Sequence, residues 1–265
     1  MLPAGYEKKN FLRFKTAIDL NKIQAEYDSI SADEWLTSYW GNIHCSIGML
    51  LLRGGDKGNS EDFLSDEVFD KPLLDKLPYM KSLIAESGPF GPAIYAFIFK
   101  TKANGVTLRH QDTIEKWQDM YRIHIPIYTN SGAFLIAGEH SQHFSAGHAW
   151  TFNNQTDHGV VNGNEERAHL IFDVVYSEKM KQQYDQAQYF KGKVIDKHLE
   201  LITNKTKEVK SYLGDVEMIG AIKTLRSRGI NDQDIANFFN AKEIPSRSHP
   251  VSIWDAPMVE KLVPH

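Results

Sequence analysis

From residue 92 to residue 176 the chain runs as a series of short apolar-rich segments, AIYAFIFK, VTLRHQ, YRIHIPIY, AFLIAG, HAWTFN, HGVVN and RAHLIFDVV, punctuated by Gly, Asn and Ser turns. Segments this short with that punctuation predict β-strands. Many short strands at such spacing point to a barrel or a double-sheet sandwich. They do not alternate with long helices, so a doubly wound parallel sheet is not expected.

The flanks read differently. Upstream, FKTAIDLNKIQAEYDSI at 14–30 spaces Ile18, Ile23, Tyr27 and Ile30 at helical intervals, and residues 73–86 repeat that style. Between them HCSIGMLLLRGG predicts a buried strand running into Gly54 and Gly55. Downstream of Tyr176 the pattern turns polar and helical. The expected organisation is a mainly-β domain with N-terminal helices over 1–180 and a helical region over 181–265, with a helix-turn-helix-like module at about 215–265. A hydrophobic content of 42% and a charged content of 24% fit an ordinary globular chain. No apolar run nears the roughly 18 residues that span a bilayer, and the start lacks the apolar stretch of a signal peptide. The single cysteine, Cys45, allows no internal disulfide and no Cys-rich zinc site, so the expected compartment is the cytoplasm.

Residues 109–126, RHQDTIEKWQDMYRIHIP, put polar groups where a sheet needs apolar ones. Alternate side chains of a strand share a face. His110 and Asp112 would then point the same way and hold one ion between them. Arg122 and His124 would share a face opposite Ile123, Ile125 and Ile127, while Arg109, Glu115 and Asp119 read as solvated neighbours. Further on, His158 lies near the start of one strand and Arg167 at the start of the next. Two histidines and a carboxylate form the ligand set of a non-haem Fe(II) oxygenase, with positions left open for other ligands. A buried arginine is the natural partner of a dicarboxylate, which its planar fork binds through two hydrogen bonds. Taken singly, a His-x-Asp arises readily by chance and a strand arginine is usually solvated. The weight comes from their occurring together, in order, on one strand sandwich.

Through RHQD, YRIHIPI, GHAWTFN, DHGVVN and RAHLIFDV, the stretch from LPYMKSL at 77 to FDVV at 175 resembles the aspartyl/asparaginyl β-hydroxylase-like Fe(II)/2-oxoglutarate-dependent oxygenases. Within them it is more similar to the bacterial L-proline cis-hydroxylase branch. The resemblance implies a double-stranded β-helix, a cupin-like jelly-roll, using Fe(II), 2-oxoglutarate and O2. It implies that His110, Asp112 and His158 bind the metal at the catalytic centre. Arg167 would take the distal carboxylate of 2-oxoglutarate, with Arg122 and His124 near its metal-chelating end. The animal aspartyl hydroxylases of this group lack the acidic ligand. Here Asp112 is present, which points to hydroxylation rather than to halogenation, where that coordination position must be freed for chloride.

The implied reaction is hydroxylation of an unactivated C–H bond of a free amino acid, proline-like or other, or of a residue in a peptide or carrier-bound precursor. Arg53 and His44 are the candidates for contacting such a substrate, and Trp117 and Trp150 read as core aromatics. The tail resembles the small helical module that ends some serine recombinase DNA-binding regions, through a Gly229 turn, Asn231 as a cap, and the stripe Ile235, Phe238, Phe239. From Asp215 to His265, however, six Lys or Arg face seven Asp or Glu, a balance that does not favour phosphate binding. The alternative from another class is a non-catalytic jelly-roll sensor whose tail contacts DNA or a partner. The expected partners are a small-molecule amino-acid or peptide substrate and, as an option, a second copy of the chain in a homodimer. Nucleic acid and membrane are not expected.

Overall fold

The computed structural model describes residues 2–31, 34–35, 47–55, 67–112, 115–212, 216–241 and 255–263. β1 (Phe11–Ala17) and α1 (Leu20–Asp28) lead to β2 (Ile47–Gly54), β3 (Phe69–Asp70), a 3-10 turn (Pro72–Lys76) and α2 (Pro78–Ile84). Next come β4 (Ala93–Thr101), β5 (Val106–His110), the one-turn α3 (Glu115–Gln118), β6 (Met120–Tyr128), β7 (Phe134–Ala137) and β8 (His140–Gln142). β9 (His148–Phe152), β10 (His158–Val161) and β11 (Arg167–Val175) complete the strand series. They are followed by α4 (Glu178–Gln186), β12 (Gln188–Phe190), β13 (Lys193–Val194) and α5 (Asp196–Tyr212).

The strands form two sheets, ordered β12-β1-β9-β6-β11-β4-β2-β3 and β13-β8-β7-β10-β5. The consecutive strands β4 to β11 are shared between them: β4, β6, β9 and β11 are neighbours in the larger sheet, and β5, β7, β8 and β10 in the smaller. That sharing is the double-stranded β-helix, or jelly-roll, expected of short antiparallel strands.

Period-two alternation gives the larger sheet two different faces. Ile123, Ile125 and Ile127 of β6 and Ala168, Leu170, Phe172 and Val174 of β11 join Ile23 of α1, Met80, Leu83 and Ile84 of α2, and Met180 and Tyr184 of α4 in one buried cluster. Each such Ile or Leu stabilises the fold by roughly 1.5–3 kcal/mol. With the apolar contacts concentrated on the helix-covered face, the other face of β6 and β11 can carry Arg122, His124, Arg167, His169 and Asp173. Pro126 sits in an interior strand, where a proline is tolerated at a bulge. The β6–β11 register shifts at that point, with Pro126 opposite His169.

Local signals explain the flanking elements. Asp19 caps α1 by accepting from the Lys22 N–H at 3.1 Å. Glu26 of α1 accepts from the Tyr79 and Met80 N–H groups, capping α2. Residues 14–17 belong to β1 rather than to the helix expected from residue 14, because Leu12 and Phe14 alternate into the core and the Asp19 cap delays the helix to Leu20. In the polar stretch expected to be helical, β12 pairs with β1 and β13 with β8. Tyr189 and Val194 are exposed on these edge strands, so no buried period marks them in the sequence.

Residues 1–204 and 205–265 form two compact units. In the second, α6 (Val216–Ser227), α7 (Asp232–Ala241) and α8 (Ala256–Leu262) pack Ile222, Leu225, Ile235, Phe239 and Val259 into a small core. The turn between α6 and α7 is built on Gly229 at φ 80°. Gly229 donates to the Arg226 carbonyl and Ile230 to the Leu225 carbonyl, a Schellman closure, and Asn231 then caps α7 by accepting from the Asp234 N–H. Among the described residues no helix is long and apolar enough to cross a membrane.

Candidate active site

β5 and β10 are neighbours in the smaller sheet, with His110 opposite His158 in their register. That pairing brings the two imidazoles to a centroid separation of 4.2 Å. Asp112 lies just past the end of β5, held by a hydrogen bond from its N–H to the Asn154 carbonyl at 3.1 Å. His110 Nε2 is 3.8 Å from Asp112 Oδ1. One donor atom from each of His110, Asp112 and His158 lies within 4.8 Å of the other two.

Both rings are oriented by their own chain. His110 Nδ1 is 2.8 Å from the Leu108 carbonyl, and His158 Nδ1 is 2.9 Å from the Thr156 carbonyl. A carbonyl only accepts, so Nδ1 carries the proton in each neutral ring and Nε2 the lone pair, as metal binding requires. Burial, followed by the neighbouring His110, pushes His158 down to about 4, so it is neutral near pH 7.

The carboxylate is oriented just as closely. Asp112 Oδ2 accepts from Arg122 Nη1 at 2.6 Å and from Asn154 Nδ2 at 2.7 Å, which leaves Oδ1 on the imidazole side. Asn154 Oδ1 in turn accepts from Lys8 Nζ at 2.7 Å, which fixes the direction of its amide. Arg122 donates through Nε and Nη2 to both oxygens of Asp173, at 2.8 and 2.9 Å, and lies 4.5 Å from the Trp117 ring centroid. Burial works to raise the Asp112 carboxyl, but Arg122, His158 and the Asn154 amide outweigh it and hold it below the usual range. Partners of this kind typically contribute ten- to hundredfold to metal affinity. Asn154→Ala is accordingly expected to weaken Mn(II) binding by about that factor without unfolding the protein, which calorimetric titration alongside a melting curve would show.

Further along the inner face, Arg167 is 5% exposed, and among the described residues no carboxylate pairs with it. Its Nη2 lies 3.0 Å from His169 Nδ1, and burial alone brings its pKa down to about 9. Among the described residues neither ring nitrogen of His124 has a hydrogen-bond partner, and neither has Thr101 Oγ1, which faces Arg167 in the β4–β11 register. Burial, then the Arg167 charge, pushes His124 well below its ordinary range, so it is neutral. A buried cation without a counter-charge costs several kcal/mol. An arginine and unpaired polar groups on adjacent strands form a site that a carboxylate-bearing ligand would complete, so the residues fit 2-oxoglutarate as the histidine and aspartate donors fit Fe(II).

The structure thus brings together His110, Asp112 and His158, with Arg122 behind Asp112, and it sets Arg167 and His124 on two neighbouring strands of the larger sheet. Arg122 was expected at the chelating end of the co-substrate. Its guanidinium is instead engaged by Asp112 and Asp173. Arg53 is withdrawn from the site: its Nε pairs with Asp70 at 2.6 Å and its Nη1 donates to the Ile84 and Ala93 carbonyls beside α2. His44 lies outside the described residues. Arg109, expected to be solvated, pairs with Asp157 at 2.6 Å. Trp150 is buried and stacks on Phe144 with centroids 4.8 Å apart. Sequence reasoning missed Lys8, Asn154, His169 and Asp173. The last two were readable, since RAHLIFD places Arg167, His169 and Asp173 on one face at period two.

Residues 20–176 match the family model described as aspartyl/asparaginyl beta-hydroxylase. A search of curated proteins finds no match. Among solved structures, an oxidoreductase of the 2OG-Fe(II) oxygenase family from Burkholderia pseudomallei is 13% identical, over 58% of this chain and 76% of that one, at a TM-score of 0.40. A viral collagen prolyl hydroxylase from Paramecium Bursaria Chlorella virus-1 is 8% identical over 64% and 97%, at a TM-score of 0.40. A prolyl-4-hydroxylase from Pseudomonas putida is 12% identical over 64% and 94%, at a TM-score of 0.36. At these scores the weight rests on the family match and on the geometry of the site.

Proposed function

The chain belongs to the aspartyl/asparaginyl β-hydroxylase family and is an Fe(II)- and 2-oxoglutarate-dependent dioxygenase, and from that premise we propose that it hydroxylates an unactivated C–H bond of an amino acid. The substrate is a free amino acid, proline-like in the first instance, or a residue of a peptide or carrier-bound precursor. The observation that carries this reading is the His-Asp-His cluster, with Asp112 and His158 buried, together with a buried arginine that pairs with no carboxylate among the described residues.

In this reading His110 and His158, through Nε2, and Asp112, through Oδ1, hold the iron. Arg167 binds the distal carboxylate of 2-oxoglutarate, with His124 beside the chelating end. Arg122 positions Asp112 rather than touching the co-substrate. When bound, the iron and its co-substrate supply the oxidising chemistry, in which dioxygen is divided between 2-oxoglutarate, released as succinate and CO2, and the hydroxylated product. The protein supplies orientation and a dry wall. Its two ring tautomers are set by backbone carbonyls, and its carboxylate keeps one oxygen tied back. A reducing compartment suits ferrous iron and a single cysteine, and we place the protein in the cytoplasm. The charge balance of the C-terminal helices argues against a DNA-binding role for them.

The test is a mass-spectrometric screen with Fe(II) and 2-oxoglutarate, first of free amino acids and then of peptides. The expected result is a gain of one oxygen in one substrate class, with succinate formed in equal amount. Succinate release that no substrate in either set stimulates, with the metal bound, would contradict the proposed substrate class.

A further inference from the structure

We propose that His169 is a positioning residue for 2-oxoglutarate, holding the Arg167 guanidinium in place without neutralising it and so setting the pocket's preference for a dicarboxylate. This rests on the reading of Arg167 given above. It goes beyond that reading by assigning work to a residue that neither the metal nor the chelating end of the co-substrate requires.

His169 is fully buried on β11, two residues after Arg167 and therefore on the same face of the strand. A guanidinium has only donors, so at 3.0 Å from Arg167 Nη2 the His169 Nδ1 must be the acceptor, and the ring proton sits on Nε2. That nitrogen has no partner among the described residues. The His124 ring stands edge-on to it, with centroids 5.9 Å apart. Burial and the adjacent Arg167 charge keep His169 neutral.

The choice of side chain is what matters here. An apolar residue at 169 would pack at no polar cost, as Ile171 does two positions on, but would leave Arg167 Nη2 without an acceptor. An aspartate or glutamate would supply the acceptor and cancel the charge, as Asp173 does for Arg122 on the same strand. A neutral imidazole does the first without the second. β11 thus presents two arginine partners of opposite consequence: Arg122, paired with Asp173 and Asp112, serves the metal carboxylate, and Arg167, steadied by His169, keeps its charge for an incoming carboxylate.

The experiment uses the full chain loaded with Mn(II) and measures ligand binding by calorimetry, with no turnover required. The probes are 2-oxoglutarate and 2-oxopentanoate, which has the same chain length but a methyl group in place of the distal carboxylate. In His169→Leu the Kd for 2-oxoglutarate is expected to rise about tenfold or more, as loss of a hydrogen bond to a charged group implies, while that for 2-oxopentanoate stays within about twofold. His169→Asn, which returns an acceptor near the Nδ1 position, should recover most of the affinity. His169→Asp should bind 2-oxoglutarate most weakly of all, because its carboxylate neutralises Arg167. Equal weakening of both probes, an unchanged 2-oxoglutarate Kd in the Leu variant, or wild-type affinity in the Asp variant would overturn the proposal. Should the Leu variant fail to fold, the Asn and Asp variants still decide it through their opposite expected effects. A wild-type protein that binds Mn(II) but shows no preference for 2-oxoglutarate over 2-oxopentanoate would overturn the reading of Arg167 and this inference together.

Discussion

Asp112→Ala is expected to yield a folded protein that has lost hydroxylation and retains iron poorly, with metal affinity down by more than about a hundredfold. The magnitude follows by comparison: deleting a partner that merely orients a ligand costs about ten- to hundredfold, and here the ligand itself goes. The fold should survive because the arginine behind Asp112 does not depend on it alone. Arg122 keeps both oxygens of Asp173, at 2.8 and 2.9 Å, and its place over Trp117. Removing Asp112 leaves a one-to-one ion pair in place of one arginine between two carboxylates. Circular dichroism and a melting curve measure the first half of this expectation, and succinate formation with anaerobic metal titration the second. An Asp112→Ala protein that keeps wild-type turnover would remove the carboxylate from the metal site.

Arg167→Met should do something less common, which is to abolish function while stabilising the protein. The charge-assisted pair with the distal carboxylate contributes about 2–5 kcal/mol to co-substrate binding, so 2-oxoglutarate affinity should fall by well over tenfold. In the ligand-free protein the same guanidinium is a cost, since it is 5% exposed, no described carboxylate pairs with it, and burial lowers its pKa to about 9. Methionine fills a similar volume with no charge to desolvate, and replacing buried ionic groups by apolar ones is often stabilising by about 1–4 kcal/mol. At about 2–4 °C per kcal/mol for a chain of this size, the ligand-free melting temperature should rise by several degrees. Adding 2-oxoglutarate with Mn(II) should raise the melting temperature of the wild type and leave that of the variant nearly unmoved. A fall in the ligand-free melting temperature would show that the hydrogen bond to His169 and the packing of Arg167 outweigh the cost of burying its charge, so that the residue serves the fold rather than being reserved for a ligand.

The parts of the fold legible in the sequence were those where burial imposes a period. β6 and β11 read correctly because their outward faces, Ile123 to Ile127 and Ala168 to Val174, alternate with polar residues that have a reason to be inside. β12 and β13 were invisible because they are short edge strands with exposed side chains, so neither periodicity nor hydrophobicity marks them. The clustering of His110, Asp112 and His158 was legible because the first two lie two apart and His158 begins a strand. The amide behind Asp112 was not: Asn154, and Lys8 that orients it, arrive from distant parts of the chain, and only the folded register brings Asn154 to 2.7 Å from Asp112 Oδ2. Arg122 was placed on the correct face and given a different task, because a strand pattern shows which way an arginine points and not which carboxylates wait there. Arg53 failed for the same reason, with Asp70 on β3 taking its guanidinium.

The central claim is that one Fe(II) is held jointly by His110, Asp112 and His158. Anaerobic equilibrium dialysis against Fe(II), read as metal per chain by elemental analysis, tests it most directly. Wild-type protein should bind one tight equivalent, and His110→Ala, Asp112→Ala and His158→Ala should each lose it while remaining folded. A full equivalent of tightly bound iron retained in any of the three folded variants would contradict the site.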